Sequence, residues 1–192
     1  MGKDRLAAFS DGVIAIIITI MVLELKIPHG ADFADLKSVA PHFASYVLSF
    51  IYIGIYWNNH HHMLHTVQRV DGLILWANAH LLFWLSLVPA ATAWLGENFL
   101  MPAPVALYGL TLLLPALAYY LLQLAIIHRQ GKDSVLRRAI GLDLKGKISP
   151  FLYLSAIAVA FVSPAASLGI DALVALIWLV PDRRIENAIG QG

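Results

Sequence analysis

The sequence predicts an all-α polytopic membrane protein with six transmembrane helices, and three observations carry that reading. Hydrophobic residues fill 59% of the 192 positions and charged ones only 13%, against roughly 25% charged in a soluble domain. The mean hydropathy is +0.73. The apolar residues gather in long runs, and no connection between them is long enough for a soluble domain.

The first span covers residues 5–25, roughly 31 Å at the helical rise and enough to cross the hydrocarbon core. Lys26 and Pro28 follow it instead of a small-residue cleavage site, so it reads as a retained span and not a signal peptide. The second, third and fourth spans cover residues 42–65, 72–95 and 103–127. A last apolar stretch is broken at Ser163-Pro164 and reads as two shorter spans, 148–163 and 165–181, joined by a tight turn. One long tilted helix plus a buried segment is the alternative there. The whole chain, 1–192, reads as one domain without internal repeats.

Basic residues set the orientation. Lys3 and Arg5 precede the first span, Arg69 lies between the second and third, and Arg183 and Arg184 follow the last. Arg129, Lys132, Arg137, Arg138, Lys145 and Lys147 lie between the fourth and fifth. Only Lys26 and Lys37 fall on the other side, so both termini are expected in the cytoplasm, in agreement with an even span count. The loop at 129–147 reads first as a plain positive-inside loop, with a short amphipathic helix at 134–138 as the other reading. A net charge of +1 argues against nucleic acid as a partner, and the absence of cysteine excludes disulfides, zinc-thiolate sites and thiol catalysis.

The first span carries the functional signal. Arg5, Phe9, Ser10 and Asp11 open a helix whose only later polar side chain, up to Leu23, is Thr19. An unpaired charge at such a depth costs on the order of 3 kcal/mol, so these groups need partners. At 100° per residue, Phe9, Gly12, Ile16, Ile20, Leu23 and Ile27 fall within about 40° of Ile16, with Thr19 about 60° to one side. Ser10 and Asp11 lie about 120° and about 140° from that stripe, and Arg5 and Asp11 miss each other on the same helix. Their partners must come from another helix or another subunit. Trp57, Asn58, Asn59, His60, His61, His62 and His65 cluster at the matching end of the second span, and Asn78, His80 and Trp84 lie at that depth in the third. Asn, His and Trp can donate to a carboxylate, so a hydrogen-bonded knot that fixes the first helix's rotation is expected.

Three motifs in these spans resemble the transmembrane protein 175 family of prokaryotic and lysosomal potassium channels. They are Arg5-xxx-Phe9-Ser10-Asp11 opening the first span, Trp57-xx-His60-His61 closing the second, and Asn78 with Trp84 and Pro89 in the third. The first is the specific one, and the resemblance extends over the chain in length and span count. It implies a homotetramer of six-span units whose first helices line a central pore. The implied activity is a leak-like, potassium-selective channel in a prokaryotic plasma membrane, with potassium ions, the bilayer and copies of itself as partners and no cofactor. By position, the constriction matches Ile16, the next pore layers Ile20 and Leu23, and the selecting hydroxyl layer Thr19, with potassium passing transiently near Ile16 and Thr19. Arg5, Phe9, Ser10, Asp11, Trp57, His60, His61 and Asn78 match the family's motif residues. Like the family, the chain lacks a Thr-Val-Gly-Tyr-Gly filter. Lipid-facing or packing surface is the other reading of the Ile16 stripe.

A ring of isoleucines narrow enough to expel water is closed by default, because a cation there loses hydration and gains no ligands. A small rotation or tilt of the first helix would wet it. A nearly bare ion would then be scored against Thr19 oxygens, which favours potassium, the easier ion to dehydrate. Glu24, about 80° from Ile16, could ring the outer mouth with negative charge or simply pair with Lys26 or a neighbouring chain. Two rival classes remain open at this stage. Asp11 with His60, His61 and His65 fits a proton-coupled transporter, although repeats and mid-depth breaks are not evident. The spacing of Asn58, His61, His62 and His65 suits metal binding and a di-iron oxidase, which would need further converging clusters; His29, His42, His80 and His128 are scattered singly.

Overall fold

The computed structural model describes residues 2–131, 134–140 and 143–179. Every regular element among them is helical. Helix α1 is Lys3–Leu23, and a 3₁₀ turn at Phe33–Asp35 leads into α2, Leu36–His65. Then come α3 (Gly72–Ser86), α4 (Val88–Glu97), α5 (Pro102–Gln130), α6 (Val135–Ile140), α7 (Leu144–Val159) and α8 (Pro164–Leu179). Four stretches are long and apolar enough to cross a membrane: Lys3–Leu23, Phe33–His65, Gly72–Glu97 and Pro102–Gln130. Helices α7 and α8, of 16 residues each, reach about 24 Å at the helical rise.

Three details depart from the sequence expectation. Helix α2 starts at Leu36 rather than 42 and carries Pro41 inside its second turn, where the Lys37 carbonyl goes without its usual N–H partner. The third span is two helices: Pro89 has no N–H for the Leu85 carbonyl, and the chain breaks at Leu87 before α4 resumes. The 129–147 loop is not plain, since α6 forms with the Ser134 hydroxyl accepting from the Arg137 N–H at 3.3 Å; Leu136 and Ala139 are buried while Arg137 and Arg138 face out. The last stretch is the helix pair α7 and α8, turning at residues 160–163, with the Ser163 hydroxyl accepting from the Ala166 N–H ahead of Pro164. Residues 180–181 of the expected last span, with Arg183 and Arg184, lie outside the described residues, as does Lys132.

The chain builds clear stops and starts elsewhere. Asp71 caps α3 by accepting from the Ile74 N–H at 3.1 Å, and Asp143 caps α7 by accepting from the Gly146 N–H at 3.1 Å. Pro102 opens α5, and Gly131, at φ +85, closes it in a conformation that a side chain would strain. Helix α5 is the centre of the bundle, packed on α3 and α4 at one side and on α7 and α8 at the other. One core joins α1, α2, α3 and α5 through Ile14, Ile17, Ile53, Leu81 and Leu122. A second joins α2, α4, α5, α7 and α8 through Tyr52, Leu95, Tyr108, Tyr153 and Val174. Helix α1 sits at the edge, resting on α2, α3 and α4 with its other face open.

Candidate ion pathway on the first helix

The two faces of α1 separate by the helical period. Leu6, Ser10, Ile14, Ile17 and Met21 are buried against the bundle. Phe9, Ile16, Ile20 and Leu23 are 58%, 59%, 42% and 82% exposed, and Gly12 and Thr19 are exposed beside them. The stripe read from periodicity is thus an uncovered edge of the helical bundle. Between it and the α3–α4 break runs an open groove of about 800 Å³, lined by Val13, Ile16, Ile17, Ile20 and Glu24 and, across from them, by Ser86, Pro89 and Ala90. The break at Leu87 therefore shapes the opposite wall of the groove.

Thr19 has its hydroxyl turned back to the helix, donating to the Ile16 carbonyl at 2.8 Å. That bond uses its only donor. The oxygen lone pairs remain available outward, which is the polarity a cation needs.

Behind the stripe, a directional chain of hydrogen bonds fixes the rotation of α1. The Asn78 amide donates to the Ser10 hydroxyl at 2.9 Å, and that hydroxyl donates to the Leu6 carbonyl at 2.9 Å. The Asn78 amide oxygen faces His60 Nε2 at 2.7 Å, so His60 carries its proton on Nε2 and donates. All three side chains are 0–1% exposed. Each group in the relay has a consistent role, and a turn of α1 by one residue would strand the Asn78 amide N–H. On the other flank the Trp57 indole N–H donates to Asp11 Oδ1 at 3.0 Å.

The remaining motif residues stand apart from this knot. Arg5 is exposed and makes no hydrogen bond or ion pair among the described residues, and Phe9 projects outward. His61 sits between Trp57, tilted to it with ring centroids 6.1 Å apart, and His65, which it meets edge-on at 4.4 Å. His80 accepts from the Trp84 indole at 2.7 Å and takes no part in holding Asp11. Lys26 pairs with Glu97 at 3.0 Å rather than with Glu24, which stays exposed at one end of the groove.

The family model described as endosomal/lysosomal potassium channel TMEM175 matches residues 5–89, the stretch that holds both α1 and its hydrogen-bonded support. A potassium channel of Chryseobacterium sp. (strain P1-3) is 54% identical over 189 residues, covering 98% of each chain. The chain belongs to the TMEM175 family. A potassium channel of Streptomyces collinus is 32% identical, covering 92% of this chain and 91% of its own. The crystal structure of a lysosomal potassium-selective channel TMEM175 homolog from Chamaesiphon minutus superposes with a TM-score of 0.79 at 30% identity, over 94% of this chain and 97% of that one. This family consists of channels, so the chain is not an enzyme and the di-iron oxidase reading falls.

Sequence reasoning missed a second polar cluster, remote from α1. Ser49 bonds Thr92 at 2.7 Å and Tyr108 at 3.0 Å, and the Tyr52 hydroxyl donates to the Asp171 backbone carbonyl at 2.5 Å. The Asp171 carboxyl is fully buried, with neither oxygen hydrogen-bonded among the described residues. The signal was present: Asp171 is the single charged residue in the apolar run of α8, and an acid inside such a run marks a site by default.

Proposed function

We propose that this TMEM175 member is a potassium channel in which four copies stand around a shared axis with α1 innermost, each as a six-span unit in a prokaryotic plasma membrane with both termini cytoplasmic. The single observation that carries the reading is the division of α1: an aliphatic edge left open along its length, opposite a buried relay that locks the edge outward. Lipid contact alone would explain an apolar edge. It would not call for a directional polar relay to hold one particular edge, for a groove beside it, or for a hydroxyl oxygen in register with it.

In the assembly, Ile16, Ile20 and Leu23 form successive apolar rings, with Ile16 the narrowest. The rings exclude water and impose an electrostatic barrier on a cation, so the resting pathway is closed or leaks slowly. A small tilt of α1 widens and wets the Ile16 ring. The ion that passes is partly stripped and meets the lone pairs of Thr19, and potassium, being cheaper to dehydrate than sodium, is favoured. Glu24, at the far end of the groove, raises the local cation concentration. Ser10, Asp11, Trp57, His60 and Asn78 act as positioning residues that hold the stripe to the axis.

Purified protein in liposomes under a potassium gradient tests the reading. Flux that reverses at the potassium equilibrium potential is expected, with sodium carried more slowly and a tetramer mass in native mass spectrometry. A stoichiometric proton exchange at transporter rates would overturn it in favour of the proton-coupled reading. Ile16→Asn is expected to raise resting flux and weaken selectivity, and unchanged currents would remove Ile16 from the gate.

A further inference from the structure

A cavity of about 540 Å³, counting the space at its mouth, lies inside the subunit between α2, α5, α7 and α8, and α1 contributes nothing to it. Its walls are largely aromatic: Tyr52, Tyr56, Tyr119, Tyr120, Tyr153 and Trp178. Several of their polar tips are already engaged. Tyr52 donates to the Asp171 carbonyl, Tyr119 to the Asn59 carbonyl at 3.1 Å and Trp178 to the Ser149 hydroxyl at 2.7 Å. What these rings offer a guest is therefore π surface.

Two further features select the guest. Among the described residues no Lys, Arg or His lines the cavity, and the one charged lining residue is Asp143. Gln123 also lines it, is 7% exposed, and its amide makes no hydrogen bond among the described residues. With no partner among them, that amide is free to bond a polar group on a molecule that enters the cavity.

We propose that this cavity binds a small organic ammonium cation, with the ring faces around its charge and the Gln123 amide on an N–H or hydroxyl of the same molecule. The negative faces of several aromatic rings attract a positive charge that has lost water. An anion would meet those same faces and Asp143 and be repelled. An uncharged acyl chain would fill the space and leave Gln123 unmatched. Such a cation has two sources, a free ammonium compound or the headgroup of a quaternary-ammonium lipid. The proposal is independent of the pore reading, because no residue of the groove takes part.

Choline and its uncharged carbon isostere, 3,3-dimethylbutan-1-ol, test it on the intact purified protein, with binding read by saturation-transfer NMR on the methyl protons. Saturable binding of choline is expected, with the isostere at least about tenfold weaker. Gln123→Leu and Tyr120→Leu are each expected to weaken choline about fivefold or more while potassium flux stays unchanged; Tyr120 is 43% exposed, so its replacement leaves the core intact. Absence of saturable binding, equal binding of the isostere, or full binding by both variants would overturn the proposal. Binding that Ile16→Asn abolishes and the cavity variants leave intact would place choline in the pore, and would overturn it as well. Nanodiscs distinguish the sources, and either result supports the site: phosphatidylcholine that displaces choline where phosphatidylglycerol does not identifies a lipid headgroup, and equal binding in both identifies a free ammonium compound.

Discussion

The back and the front of α1 follow opposite rules within one helix. The back, from Leu6 to Met21, is buried and carries Ser10, whose hydroxyl both accepts from Asn78 and donates to Leu6. The front, from Phe9 to Leu23, is aliphatic and uncovered, and its one hydroxyl, on Thr19, is folded back on its own helix. Polar groups are therefore spent where there is no water, and apolar groups are left where the proposed pathway runs. The contrast teaches that orientation and conduction are separable. A buried hydrogen bond has few alternatives and holds a rotation strictly, whereas an apolar ring controls an ion through what it withholds.

Substitutions at the back should therefore cost stability, and substitutions at the front should change flux. Asn78→Leu is the strongest test, since it strands the buried His60 ring and takes from the Ser10 hydroxyl the bond it accepts. A loss of about 3 kcal/mol is expected, read as a large fall in the thermal midpoint of the detergent-solubilised protein. Full retention of stability would erase the contrast. Ile16→Asn should do the reverse, raising resting potassium flux about tenfold, the equivalent of lowering a barrier by about 1.4 kcal/mol, with the midpoint almost unmoved. Trp57→Phe removes the indole donor from Asp11, which is only partly buried, and about 1 kcal/mol of stability is expected to go with it.

Thr19→Val sharpens the comparison on the front face. It keeps the shape of the side chain and removes the lone pairs, so the potassium-to-sodium flux ratio should fall about threefold, or about 0.65 kcal/mol, at unchanged stability. The smallest effect is expected at Lys26→Met. The Lys26–Glu97 pair is about half exposed, so its loss should cost under about 1 kcal/mol and should vanish at high salt.

How far the sequence could be read depends on the range of the interaction involved. The stripe on α1 was legible because helical periodicity is local, and Ile16, Ile20 and Leu23 must share a face once the segment is helical. The need of Asp11 for a partner was legible from its depth, but the choice of Trp57 over His80 was not, because His80 is committed to Trp84 one turn along its own helix. The break at Leu87 was carried by Pro89, a residue read only as part of a motif. The tyrosine cavity was invisible, because its lining residues are scattered from Tyr52 to Trp178 and share no spacing.

By itself, then, the sequence determined that the chain is helical and membrane-embedded, which side its charges favour and which edge of its first helix is aliphatic. These follow from composition and from periods of a few residues. Only the tertiary structure decided that this edge is left uncovered, that Ser10, Asn78 and His60 form a single relay, and that an unmatched glutamine stands among aromatic rings. Each of those depends on which helices meet and at what register, a property of distant contacts that no local pattern encodes.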